Sequence, residues 1–141
     1  MRKEAAPKTP PRRPAAGTRA AAARDPADVF VAACPSRAAL ELISSKWALL
    51  IVPALGEGPM RNNELLRRIG GVSQKMLTQT LKELEYNGLV IRTDHQTVPP
   101  HVEYKLSPLG RSLSQTLVAL DNWAEKHHGD LAAARERYEA G

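Results

Sequence analysis

Along the first 26 positions there is no large apolar residue after Met1, and from there on apolar positions recur with a helical period. Leu40 and Ile43 stand three apart behind Ser36, a plausible N-cap, and predict a short first helix. A second is predicted from about Ser45, carrying Trp47, Leu50, Ile51, Ala54 and Leu55 and stopped by Gly56. Pro53 lies inside that run. It lacks an N–H and crowds the carbonyl of Leu49, so a kink or early termination is expected there.

Glu57 to Arg61 reads as a turn and short extended piece. Asn62 or Asn63 then caps a third helix ending at Ile69, with Glu64 suited to its positive end. Gly70 and Gly71 break the chain, and Ser73 is placed to cap a fourth helix running to Asn87, where Gly88 offers the left-handed C-terminal position. Two alternating segments follow, Leu89 to Thr93 and Val102 to Leu106, separated by a loop with Pro99 and Pro100; they predict an antiparallel hairpin. Ser107-Pro108 then opens a last helix, an N-cap followed by proline at the first helical position. Leu109, Leu113, Leu117, Leu120, Ala124 and His127 recur along it to about His128.

The expected fold is mainly α with a small antiparallel β-hairpin wing (α+β): a winged helix-turn-helix with five main helices and two to three short strands. Residues 1–26 are expected to be a disordered basic tail rich in Ala, Pro and Arg, residues 27–130 the folded domain with terminal dimerisation helices, and 131–141 a C-terminal extension. At 141 residues the chain suits one core rather than two.

Charge changes this picture in one respect. The net charge is +5, but the first 26 residues hold seven basic groups against Glu4 and Asp25 and so account for all of it. Bulk basicity therefore says nothing about the folded part. The tail has two readings, a basic arm that adds phosphate contacts and a solvated low-complexity extension; its prolines argue against a transit peptide. The longest apolar run, Trp47 to Leu55, is well short of the roughly 20 residues that span a membrane. A lone cysteine, Cys34, closes no internal disulfide, and a cytoplasmic setting is expected.

Chemistry is concentrated in the fourth helix. At 100° per residue Met76, Leu77, Thr80, Leu81 and Leu84 share one side, while Gln74, Lys75, Thr78, Gln79 and Lys82 share the other, and no acid appears before Glu83. An N-terminal half without carboxylates suits entry into the major groove of double-stranded DNA, where Gln pairs with adenine, Lys with guanine and Thr with a thymine methyl. Ser73, Gln74, Lys75, Thr78, Gln79 and Lys82 are the candidate readers. Arg61, Asn62, Asn63, Arg92, His95, Gln96 and His101 are candidates for backbone and wing contacts. An ordinary amphipathic surface helix would show a similar polar face, and a winged helix that binds protein rather than DNA is the alternative function. No Gly-rich phosphate loop, paired-histidine metal motif or nucleophile elbow points to an enzyme, and no cofactor or metal site is expected.

Cys34-Pro35, Ser45-Lys46-Trp47-Ala48-Leu49-Leu50-Ile51, Asn63-Glu64-Leu65, the run Ser73 to Glu85, Gly88-Leu89-Val90 and Tyr104-Lys105-Leu106-Ser107-Pro108-Leu109-Gly110 stand in this order. In these stretches the chain resembles the HxlR family of bacterial winged-helix regulators, relatives of the MarR class, over residues 34 to about 128. Asn62 departs from the aromatic usual before Asn-Glu-Leu, which would either loosen packing of the short strand or free Asn62 to touch a phosphate; Pro53 is the other departure. The resemblance implies a homodimer on a pseudo-palindromic operator, and, by analogy, repression. It also implies dimerisation through the terminal helices, where Leu113, Leu117, Leu120 and Trp123 either meet the partner or close the chain's own core. Several such regulators sense oxidants or electrophiles through a cysteine at the position of Cys34, for which Arg37 or Lys46 could lower the pKa; a small inert thiol is the other reading. A small-molecule effector is left open.

Overall fold

A computed structural model describes residues 26–141. The tail expected over residues 1–26 thus lies almost wholly outside the described residues. The elements are α1 (Pro35–Ile43), α2 (Ala48–Gly56), β1 (Met60–Arg61), α3 (Asn62–Arg68), α4 (Gln74–Tyr86), β2 (Val90–Asp94), β3 (Val102–Leu106) and α5 (Pro108–Ala140). The chain divides into two units at Leu42/Ile43.

In the N-terminal unit, α1 buries none of its residues. Arg37 holds the preceding turn, its Nε donating to the Val29 carbonyl at 2.7 Å and Nη2 to that of Phe30 at 3.3 Å.

The second unit has one core, whose largest fully enclosed side chains are Ile51, Val52, Leu65, Leu77, Leu81 and Leu84. Three helices thus contribute to it. α2 starts three residues later than expected, at Ala48 behind Trp47, after a turn in which Ser45 Oγ accepts from the Ala48 N–H at 3.1 Å. Pro53 does not end the helix. Its missing bond to Leu49 is offset by burial of Ala48, Ile51, Val52, Ala54 and Leu55 around it. α3 begins at Asn62, so neither asparagine is its cap; Arg61 takes that position, and its N–H is satisfied by Glu64 Oε1 at 2.7 Å.

The sheet is antiparallel in the order β1-β3-β2. Met60 pairs with Tyr104 and Arg61 with Glu103 on one side of β3. On the other, Val90 pairs with Leu106, Arg92 with Tyr104 and Asp94 with Val102. Val90 and Leu106 are buried at its base, and the outer end of the hairpin is exposed.

α5 departs most from expectation. It runs to Ala140 instead of His128, straight through Gly129. One glycine costs a helix only about 1 kcal/mol, and the alanine-rich stretch beyond it favours continuation. Its buried residues are Gly110, Ser114 and Leu117; of the leucine stripe only Leu117 is among them. Small side chains line that seam because neighbouring backbone comes close: a Cβ on Gly110 would lie 2.1 Å from the Leu89 carbonyl oxygen, and one on Gly56 2.6 Å from Ser114 Oγ.

Candidate nucleic-acid interface

α4 is held like a rail by one face. Leu77, Thr80, Leu81 and Leu84 are buried, and the Thr80 hydroxyl is satisfied within the helix by donating to the Met76 carbonyl at 2.8 Å. Ser73 caps the N-terminus as expected, its Oγ accepting from the Met76 N–H at 3.1 Å. At the other end Gly88 takes φ +77°, a left-handed conformation that a Cβ disfavours, and lets the chain turn into β2.

The opposite face presents Gln74, Lys75, Thr78, Gln79 and Lys82 to solvent, and the first turn has no acid. Among the described residues Lys75, Gln79 and Lys82 make no hydrogen bond or ion pair, so their polar ends are available to a ligand. Gln74 is different. Its Nε2 donates to Asn62 Oδ1 and to Thr78 Oγ1, both at 2.9 Å, and its Oε1 accepts from Asn62 Nδ2 at 2.7 Å. Both N–H groups of Gln74 are therefore spent, and a bidentate pair with adenine would first have to break this arrangement. The same bonds explain Asn62: in place of an aromatic, its amide braces the start of α4 from the start of α3.

Around this face Arg61, Asn63 and Arg67 are exposed. Arg68 is not available, because its guanidinium grips Glu57 with two bonds, Nε to Oε1 at 2.9 Å and Nη2 to Oε2 at 2.6 Å. That pairing holds the Glu57 carboxyl below its usual pKa and raises that of Arg68.

On the wing Arg92 and Gln96 are exposed; Gln96 sits at φ +54° with its N–H donated to Asp94 Oδ1 at 2.8 Å. His95 and His101 are not loose probes for a groove. Both face Glu103, with His95 Nε2 3.3 Å from Oε1 and His101 Nε2 3.8 Å from Oε2. Glu103 escaped notice in the sequence because only the hairpin register brings it beside both rings.

With this geometry in hand, relatedness can be judged. The model of the HxlR-like helix-turn-helix family matches residues 42–131. The chain belongs to that family. It is 45% identical over 109 residues to the HTH-type transcriptional regulator YtfH of Escherichia coli K12, covering 77% of this chain and 86% of that one. Among solved structures, the transcriptional regulator ytfH from Salmonella typhimurium superposes with a TM-score of 0.73 at 43% identity, over 79% of this chain and 99% of that one. A redox regulator, HypR, in its reduced form gives 0.65 at 34% identity, over 70% and 98%. Family members of this kind are transcriptional regulators and not enzymes. Among the described residues no single helix is long and apolar enough to cross a membrane.

The two remaining sets of candidate residues sit elsewhere. Of the four expected at a dimer contact, Leu117 is buried at 4% exposure, spent in the chain's own core. Leu120 and Trp123 are 47% and 51% exposed, and Leu113 is half-buried. Cys34 is half-buried, with Sγ 3.0 Å from Ser36 Oγ and accepting from the Asp28 N–H at 3.3 Å. These bonds, that with Ser36 foremost, lower its pKa. Among the described residues no cation contributes: Arg37 is committed to backbone carbonyls, and Lys46 lies 4.7 Å above the ring of Trp47.

Proposed function

We propose that this regulator is a sequence-specific DNA-binding repressor, acting as a homodimer on a pseudo-palindromic operator and responsive to oxidants or electrophiles through Cys34. One observation carries the DNA reading: the acid-free polar face of the first half of α4, Gln74, Lys75, Thr78 and Gln79, stands exposed on a helix anchored by four buried residues. Lys75, Gln79 and Thr78 read base edges in the major groove, with Lys82 on the phosphates beside them. Ser73, Gln74 and Asn62 act together at the helix start, the amide pair fixing its approach to the backbone. Arg61, Asn63, Arg92 and Gln96 supply further backbone contacts.

α5 makes the dimer through its outward residues Leu120 and Trp123, with Leu113 at their edge. That arrangement would set two copies of α4 about one turn of DNA apart. For Cys34, support comes from the hydrogen bonds that favour the thiolate and from the likeness to HypR, a redox regulator. Without a second cysteine, oxidation would proceed to a mixed disulfide with a small thiol or to one between two chains.

Selection of bound sequences from a random duplex pool tests the reading directly. An inverted repeat with half-sites one turn apart is expected. Lys75→Ala and Gln79→Ala should each weaken binding to the selected site by about 1–3 kcal/mol, roughly 5- to 150-fold. Recovery of no preferred sequence, or unchanged affinity in both variants, would reject the assigned face. Mild peroxide or a quinone should release DNA from the wild type and not from Cys34→Ser; equal release from both removes the sensor role.

A further inference from the structure

The wing carries a group of side chains that DNA reading does not require. β2 ends at Asp94 and β3 begins at Val102, but the ladder continues one rung further, the His95 N–H donating to the His101 carbonyl at 2.9 Å. Side chains alternate along a strand, so Thr93 and His95 share a face with His101 and Glu103, their partners across the hairpin. The two imidazoles stand with centroids 4.5 Å apart, and one ligand-capable atom from each of His95, His101 and Glu103 lies within 4.8 Å of the other two. His101 Nε2 is shut off from solvent and has no hydrogen-bond partner. A desolvated ring nitrogen facing a carboxylate is an expense without return unless something comes between them.

We propose that His95, His101 and Glu103 form a binding site for a divalent transition ion of the Zn²⁺ type, located where the two strands of the wing enter its tip. Two imidazole nitrogens and a carboxylate oxygen form a donor set for Zn²⁺ or Co²⁺, with one position left for water; Mg²⁺ and Ca²⁺ prefer oxygen alone. Bond lengths near 2.0–2.2 Å about a tetrahedral ion put donors about 3.4 Å apart. His95 Nε2 and Glu103 Oε1 already stand at 3.3 Å, His101 Nε2 lies 3.8 Å from the other carboxylate oxygen, and the three ligand atoms, within 4.8 Å of one another, would close by about 1 Å at the widest pair on binding. All three side chains are about a third exposed, so small rotations are open to them. The ion would join the two ends of the loop 96–100 and replace the negative charge of Glu103 by a net positive one. Arg61, paired with Glu103 across β1, is the neighbouring cation that opposes it.

The test uses the full chain, free of any tag and stripped by chelator, titrated with Co²⁺ and followed by its visible ligand-field absorption, then displaced by Zn²⁺. One ion per chain is expected, in a four-coordinate spectrum. His95→Gln and His101→Gln each remove a ligand and should weaken Co²⁺ by at least about 100-fold, the upper range for loss of a mere outer partner. Cys34→Ser and His127→Gln should bind like the wild type, which separates this site from the thiol and from the pair on α5 in which His127 Nδ1 stands 3.0 Å from Asp130 Oδ2. In the unmutated protein, addition of Zn²⁺ should shift the ring resonances of His95 and His101 and leave those of His127 and His128 in place. Absence of stoichiometric binding, full affinity in His101→Gln, or shifts confined to His127 and His128 would overturn the site.

Discussion

Gly110→Ala is expected to destabilise the protein although alanine is the better helix former. The new Cβ would fall 2.1 Å from the Leu89 carbonyl oxygen, 3.1 Å from its carbon and 3.1 Å from Leu106 Cδ2. A backbone carbonyl cannot swing aside as a side chain can. This one also accepts the Ser107 N–H at 3.0 Å, and Leu89 in turn donates its N–H to the Leu84 carbonyl at 2.9 Å, at the end of α4. Room therefore has to come from withdrawing the start of α5 by about 1 Å, an overpacking cost of about 1–3 kcal/mol. The Ser107–Leu89 bond and the cap bond from the Gly110 N–H to Ser107 Oγ, at 3.0 Å, are lost or stretched, at about 1 kcal/mol each. Against this the helix gains up to about 1 kcal/mol from alanine. The balance is a loss of about 2–4 kcal/mol, which for a domain of this size lowers Tm by roughly 8–16 °C. Thermal unfolding followed by circular dichroism reads it. Gly129→Ala is the matched control: nothing lies within 4 Å of its Cβ, so there the same exchange should raise stability by up to about 1 kcal/mol. A Tm for Gly110→Ala within about 2 °C of the wild type would refute the close approach.

A double-mutant cycle on Asn62→Ala and Gln74→Ala should show coupling of about 0.5–1.5 kcal/mol in urea unfolding; additivity within about 0.3 kcal/mol would mean that the amide pair does not form in solution. Glu57→Gln should lower Tm slightly at neutral pH and have no effect in acid. The folded-state pKa of Glu57 is depressed by Arg68, so its contribution is present above the unfolded value near pH 4.3 and is lost as pH falls through the folded one. A Tm difference that stays constant from pH 7 to 3 would count against the pair. Replacing Leu120 and Trp123 together by Ser should shift sedimentation toward monomer and weaken operator binding without changing the Tm of the core; an unaltered dimer would move the interface elsewhere.

Large apolar residues made α4 legible: Leu77, Leu81 and Leu84 have one possible destination, and their period fixed which polar residues face out. The hairpin was equally open to alternation. What failed was inference from the leucines of α5, because the seam against α2 and the sheet is so close that Gly110 and Ser114 occupy it and Leu109 and Leu120 are left outside. Close approach of backbones leaves no hydrophobic signature. The Asn62–Gln74 pair, spanning twelve positions, depends on two rotamers and on the angle between two helices, none of which a period reports. Pro53 misled in the opposite sense, since a strong local rule gave way to burial on either side of it.

From Val118 to Ala140 no residue of α5 is buried within the chain. Most of a helix's stability in a protein comes from a packed face, and this stretch buries none in its own chain. In the proposed dimer its order would be tied by mass action to the second copy covering Leu120, Trp123, Leu131 and Tyr138, so that forming the arm and associating would be one equilibrium. Helicity of this protein should consequently rise with its own concentration, and the amount of regulator in a cell would set how much of it is fully folded.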